Sequence, residues 1–200
     1  MIIALKGYIG SGKTTIANYL AKNHNFEIIN ADAIVKHLYA TDDDLKKQIV
    51  TVLALSTFDT KIISEIVFSN PEKLKQLEAV VHPILTREIK EQINKSSQDI
   101  IIDCQVIDKL PIIYDYEILL TASLQTIIER VQQRDNKDEQ LIRNIIITQE
   151  KFLKQKVKVF PLNTEKTEEE VQKDLTKILK IFTKEQEYKK YEEEFDEEDW

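Results

Sequence analysis

Near the N-terminus, Gly7-Tyr8-Ile9-Gly10-Ser11-Gly12-Lys13-Thr14 satisfies the spacing G-x-x-x-x-G-K-[ST]. Each residue type there has a task around a phosphate. Glycines let successive backbone N–H groups turn inward around an oxyanion, and a helix beginning near Lys13 adds its positive N-terminal dipole. Lys13 is placed to reach β- and γ-phosphates and the Thr14 hydroxyl to ligate Mg²⁺, with Thr15 continuing the same turn. An apolar strand precedes the loop and an amphipathic helix follows it, which is the context the motif requires. A nucleoside triphosphate held with Mg²⁺ is the implied ligand.

Phosphoryl transfer also needs a base for the acceptor and cations for the developing charge. Asp32, in Asn30-Ala31-Asp32, reads either as that base or as the N-cap of the next helix, a role worth ~1 kcal/mol. Spacing alone does not separate the two. Asp103 closes the run Ile100-Ile101-Ile102, where an acid can serve Mg²⁺ or simply end a strand. Only Arg87, Arg130, Arg134 and Arg143 are arginine among 28 basic residues, so each is a candidate for bidentate phosphate contact. Arg130 and Arg134 stand four apart, with Arg143 beyond a polar turn: either a helix–turn–helix lid carrying cations or ordinary surface charge. His82-Pro83 falls mid-helix, where proline costs ~3 kcal/mol and kinks the chain, hinting at a shaped acceptor region. His24 and His37 read as surface or packing residues.

The elements that must position these groups alternate. Met1–Lys6, Glu27–Asn30, Ile100–Cys104, Ile118–Ala122 and Val157–Phe160 read as short strands. Thr14–Lys22 is a helix, and helical periodicity dominates from Asp32 to about Lys95, broken near Thr41, Thr57 and Asn70-Pro71. Ser123 caps a helix through Arg134, Glu139–Lys154 follows, and Thr167–Phe182 closes the chain. Such alternation predicts an α/β fold with a P-loop-type parallel sheet flanked by helices. A helical acceptor-binding insertion spans about 33–95, a lid about 130–150, and the whole of 1–183 forms one domain.

All three glycines of the 200-residue chain lie in the loop, against a usual ~7%. Collagen-like, linker and low-complexity readings are excluded. The chain is 42% hydrophobic and 32% charged, as globular proteins are. Residues 184–200 carry three Lys against nine Asp/Glu, six of the seven net negative charges, so the body is nearly neutral and the tail acidic. No basic face invites nucleic acid. The single Cys104 cannot form an internal disulfide, no apolar run reaches the ~18–20 residues of a membrane span, and MIIAL is too short for a signal peptide. A cytoplasmic monomer with small-molecule partners is expected.

Guanine-reading NKxD motifs are absent, and Asn136-Lys137-Asp138 has the wrong spacing, which leaves a small-molecule kinase. The loop, Asn30-Ala31-Asp32, the stretch EIVFSNPEKLKQLEAVVHPIL at 65–85, the Arg130–Arg134 spacing with Asp135, Gln149 and Asn163 together resemble the dephospho-CoA kinase family. The resemblance runs from about residue 1 to 165. It implies ATP-dependent phosphorylation of the ribose 3′-hydroxyl of dephospho-CoA, the last step of coenzyme A synthesis. By position it implies Asp32 as base, Lys13 and Thr14 on phosphate and Mg²⁺, and Arg130 and Arg134 as lid cations. His82 and Arg87 fall on the acceptor side and Asn163 near the adenine.

The chain departs from the family pattern mostly on that acceptor side. Arginines expected there fall at Thr60 and Thr86, with Lys61 and Arg87 alongside; the segment Gln105-Val106-Ile107-Asp108-Lys109 has lost its Pro-Leu-Leu-Phe-Glu character; and a glycine is missing after Asn163. The alternatives are a related kinase for another nucleoside or pantetheine-like acceptor, and a low-turnover ATP-binding regulatory module.

Overall fold

The computed structural model describes residues 1–150 and 159–196. Five strands, β1 (Ile2–Lys6), β2 (Glu27–Asn30), β3 (Ile100–Asp103), β4 (Tyr116–Thr121) and β5 (Val159–Asn163), form one sheet in the order β2-β3-β1-β4-β5. The β1–β4, β2–β3 and β4–β5 pairings are parallel, with Asn30 opposite Asp103 and Thr121 opposite Asn163. Their near-continuous apolar runs follow from burial on both faces: Ile3, Ala4, Leu5, Ile101 and Ile102 have no exposure. The last strand runs on to Asn163, past the expected end at Phe160, and its expected start at Val157 and Lys158 lies outside the described residues.

The chain divides into two compact units. The first holds Met1–Ile2 and Ala17–Ile113. Of its helices α2 (Ala31–Thr41), α3 (Asp43–Leu53), α4 (Thr60–Ser69) and α5 (Pro71–Lys95), α2 and α3, and α4 and α5, are each separated by a single residue. Single Asx residues make this possible: Asn30, Asp42, Asp59 and Asn70 each accept a first-turn backbone N–H, and Asp42 and Asn70 end one helix while starting the next. Helix α5 packs against α2, α3 and α4, and Lys73 Nζ donates to the carbonyls of Val52 and Leu53 at the end of α3. Pro83 lies inside α5, which continues through it to Lys95.

The second unit holds Ile3–Ile16 and Tyr114–Trp200. Lys6 and Glu117 form a 2.8 Å ion pair, each side chain only 4% exposed, and Tyr114 Oη donates to the same carboxylate. Removing one partner of such a pair strands the other charge in a low-dielectric interior. Helix α6 (Leu124–Asp135) is capped by Ser123 and paired with α7 (Glu139–Glu150); the expected continuation of α7 to Lys154 lies outside the described residues.

The closing helix α8 runs Glu168–Asp196, well past the expected end at Phe182. Its buried stripe, Val171, Leu175, Ile178, Leu179 and Phe182, does stop there. Beyond it Lys, Glu and Gln are good helix formers and no Gly or Pro intervenes, so the helix outlives its packing. The Phe182 ring stacks on Tyr116 at 3.9 Å, meets Phe160 edge-on at 4.8 Å, and its carbonyl accepts from Tyr116 Oη. Phe182→Ala should therefore cost ~3–5 kcal/mol in urea unfolding. Truncation after Thr183 should cost far less; equal losses would show that the aromatic stack is not what anchors α8.

Candidate active site

In the second unit the phosphate loop is built against the α6–α7 hairpin. Gly10 has φ +75°, and a Cβ there would lie 2.7 Å from Val131 Cγ2 and 3.0 Å from the Ile127 carbonyl. Gly7 has φ +148°, and a Cβ would meet the Leu120 carbonyl at 2.7 Å. Both conformation and space demand glycine at these two positions. Tyr8 and Ile9 pack on Ile127, Ile128, Val131, Ile142 and Ile146, so the hairpin's apolar face belongs to the loop's own support. Gln149 Oε1 accepts from the Ile9 N–H at 2.9 Å.

Helix α1 (Lys13–His24) starts at the loop's end, and its first N–H groups have no carbonyl partner within the helix. Lys13 Nζ folds back to donate to the carbonyls of Gly7 and Tyr8 at 2.8 and 3.1 Å. Ser11 has no exposure, and its Oγ finds no hydrogen-bond partner. An orphaned hydroxyl and a cationic head curled over main-chain oxygens suit a loop whose proper partner is an anion. Thr14 and Thr15 are exposed.

Arg130 and Arg134 take different places. Arg130 donates to Thr164 Oγ1 at 2.9 Å, to the Thr164 carbonyl at 2.6 Å and, weakly, to the Gly10 carbonyl at 3.5 Å. Arg134 is largely exposed and grips Asp135 with two hydrogen bonds; Arg134's own hydrogen bond is the main reason the Asp135 carboxyl is lowered to about 2. Arg143 is taken up by Glu139. Asn163 is exposed, and its Oδ1 accepts from the Glu165 N–H.

Thr164 is the residue that sequence reasoning missed. Its Oγ1 donates to the Ser11 carbonyl at 2.9 Å, with the Thr121 carbonyl at 3.2 Å, while its N–H holds Thr121. One hydroxyl thus ties the loop, the end of β4 and Arg130 together. Its only sequence signal was a position one beyond Asn163, where a glycine was expected.

In the first unit the carboxylates gather at the ends of β2 and β3. Asn30 is the N-cap of α2: its Oδ1 accepts from the Ala33 N–H at 2.8 Å while its Nδ2 donates to Asp103 Oδ2 at 3.1 Å. Asp32 therefore does not cap the helix. It sits exposed in the first turn, the second helical residue, with its carboxylate released from the structural task that competed for it. Next to Asp103, the buried thiol of Cys104 is pushed up to about 12, mainly by desolvation, with the charges of Asp32, Asp103 and Asp108 adding to the effect. His82 is half-buried on α5; burial lowers its pKa first, Lys109 lowers it further, and Glu78 opposes. Arg87 is exposed and lies 3.0 Å from Glu88 and 3.9 Å from Glu91. Among the described residues no group of three or more His, Cys, Asp or Glu side chains could hold a metal ion.

The family model described as dephospho-CoA kinase matches residues 1–169. The chain belongs to the dephospho-CoA kinase family. A relative named dephospho-CoA kinase, from Fusobacterium nucleatum, is 35% identical over 173 residues, covering 74% of this chain and 81% of that protein. Among solved structures, TT1252 from Thermus thermophilus superposes with a TM-score of 0.73 at 24% identity, covering 90% of this chain and 96% of that one. A dephospho-CoA kinase from Campylobacter jejuni gives 0.57 at 22% identity, over 92% and 98%. These structural likenesses show the fold, the P-loop-type parallel sheet flanked by helices.

For a member of this kinase family the loop's fit to α6 has a measurable consequence. Gly10→Ala should lower ATP affinity at least tenfold, since its Cβ meets the Ile127 backbone, which cannot yield. Adding Val131→Ala removes the other clash and should restore only part of the loss in equilibrium ATP binding. A Gly10→Ala protein with unchanged affinity would show that the loop is not held against α6.

Proposed function

We propose that this chain transfers the γ-phosphoryl group of ATP to the ribose 3′-hydroxyl of dephospho-CoA, giving coenzyme A and ADP. The observation that carries the reading is Asn30 capping α2 in place of Asp32, which leaves an exposed carboxylate at the end of β2 in a chain that also holds a phosphate loop. Asp32 accepts the hydroxyl proton as the ribose oxygen bonds to phosphorus and the β–γ bridging oxygen departs with ADP. The amides of residues 7–13 cradle the phosphates, and Lys13 leaves the Gly7 and Tyr8 carbonyls to pair with them. Mg²⁺, when bound, neutralises phosphate charge; the residues assigned to it are the Thr14 hydroxyl and the Asp103 carboxylate, the latter oriented by Asn30.

Arg134, exposed and paired with Asp135, is the cation for the transferring group, whereas Arg130 stays on Thr164 and holds the loop. Thr15 and Asn163 complete the ATP contacts, and His82 belongs to the acceptor side. Arg87, tied to its own helix, contributes charge to the region and no direct contact. The working form is a cytoplasmic monomer with small-molecule partners and neither nucleic acid nor membrane. No described helix is long and apolar enough to cross a membrane.

Incubation with Mg·ATP and dephospho-CoA should yield CoA and ADP in equal amounts. Tight ATP binding with no CoA formed would overturn the assignment. Asp32→Asn should lower turnover ~10²-fold or more while ATP affinity stays within about twofold. If turnover survives that change, Asp32 is not the base.

A further inference from the structure

The first unit contains a cleft of about 550 Å³ between α5 and the 3₁₀ turn at Ile107–Lys109. Its lining includes Lys75, Glu78, His82, Pro83, Thr86 and Lys109. Lys75, Glu78, His82 and Thr86 recur at spacings of three and four, so one face of α5 presents all of them to the same space. The volume is within the range of small-molecule sites.

The chemistry of the lining points to an anion. Lys109 is paired with Glu78 at 2.6 Å, with side-chain exposures of 27% and 23%, so the one lining carboxylate is already neutralised. Lys75 adds an exposed ammonium on the same face. His82 contributes an imidazole whose pKa burial lowers below the ordinary value, with Glu78 opposing the shift and Lys109 adding to it. Thr86 gives the independent signal. It is 8% exposed, and its Oγ1 finds no partner, not even the carbonyl four residues back that helical threonines commonly use. A buried hydroxyl left in that state is costly unless a ligand completes it. Two ammonium groups against one carboxylate leave a net charge of +1 on the lining, and with the imidazole and the hydroxyl they form a receptor for phosphate oxygens.

The 3₁₀ wall of the cleft follows Cys104 in the chain by three residues, and the Cys104 thiol feels the charges of Asp32, Asp103 and Asp108. Arg87 is not among the lining residues and is engaged by Glu88 and Glu91. We propose that this cleft receives the diphosphate of the acceptor, with Lys75, Lys109, His82 and the Thr86 hydroxyl as its donors. The inference rests on dephospho-CoA being the acceptor, a molecule whose ribose bears both the reacting hydroxyl and the diphosphate arm.

The test measures KM for dephospho-CoA and for ATP in the full chain, beside equilibrium binding of dephospho-CoA alone. Lys75→Ala and Lys109→Ala should each raise the dephospho-CoA KM about tenfold, the effect of one charge-assisted hydrogen bond, with the ATP KM within about twofold. Lys109→Arg should recover most of the loss. Thr86→Val, which keeps the shape, should raise the same KM about threefold without lowering the melting temperature. In the wild type the dephospho-CoA KM should climb with ionic strength, and the Lys75→Ala/Lys109→Ala double variant should lose that dependence. Unchanged KM values in a wild type that makes CoA overturn the cleft alone, as does a KM that answers to Arg87→Ala and to neither lysine. A wild type that neither binds nor phosphorylates dephospho-CoA overturns the functional assignment and the cleft with it.

Discussion

The phosphate loop has no room for a side chain between Gly10 and helix α6, and much of the second unit is arranged around that contact. The Ile127 carbonyl and the Val131 methyl stand where a Cβ would go, so the loop backbone rests directly on the helix. Close approach fixes where the amides point, and aligned amides are what an oxyanion recognises. The surrounding groups keep the contact closed. Tyr8 and Ile9 sink into the apolar face of α6 and α7, Gln149 holds the Ile9 amide, and Thr164 and Arg130 grip the Ser11 and Gly10 carbonyls. Below the loop, the buried Lys6–Glu117 pair fixes the strand that delivers it. A hairpin expected to act as a hinged cover is, on its inner face, part of the foundation.

The first unit solves a different problem, that of turning the chain sharply without glycine. Where a left-handed residue is needed it uses Asn25 and Ala54, as the second unit uses Asn136. Where one helix must yield to the next it uses Asp42 and Asn70, whose side chains satisfy the first amides of the new helix. Asn30 extends the device to chemistry, for its amide caps α2 with one end and restrains Asp103 with the other. A short polar side chain does structural work there so that Asp32 need not.

The sheet and the loop were legible because each leaves a local signature, an apolar run or a fixed glycine spacing. The end of α8 was not. Apolar periodicity stops at Phe182, yet helix formation depends also on propensity, and the Lys- and Glu-rich continuation satisfies that without burying anything. The roles of Asp32 and Arg130 were ambiguous for a related reason. Whether a carboxylate caps a helix depends on whether its neighbour Asn30 already does, and whether an arginine is free depends on Thr164, 34 residues away. Thr164 itself carries no motif. Its importance comes from two carbonyls, of Ser11 and Thr121, and a guanidinium converging on it, which only the folded chain brings together.

The lone cysteine acquires an unexpected use from its surroundings. Cys104 is buried beside Asp103, and desolvation with three carboxylate charges holds its thiol at about 12. Thiolate, not thiol, attacks electrophiles, so the folded protein is silent to alkylating reagents at neutral pH. Reaction has to wait until the end of β3 opens to water, and its rate under native conditions then counts those openings. With one cysteine in the sequence there is no second signal to subtract. The chain carries, at the carboxyl end of β3, a built-in clock for its local unfolding.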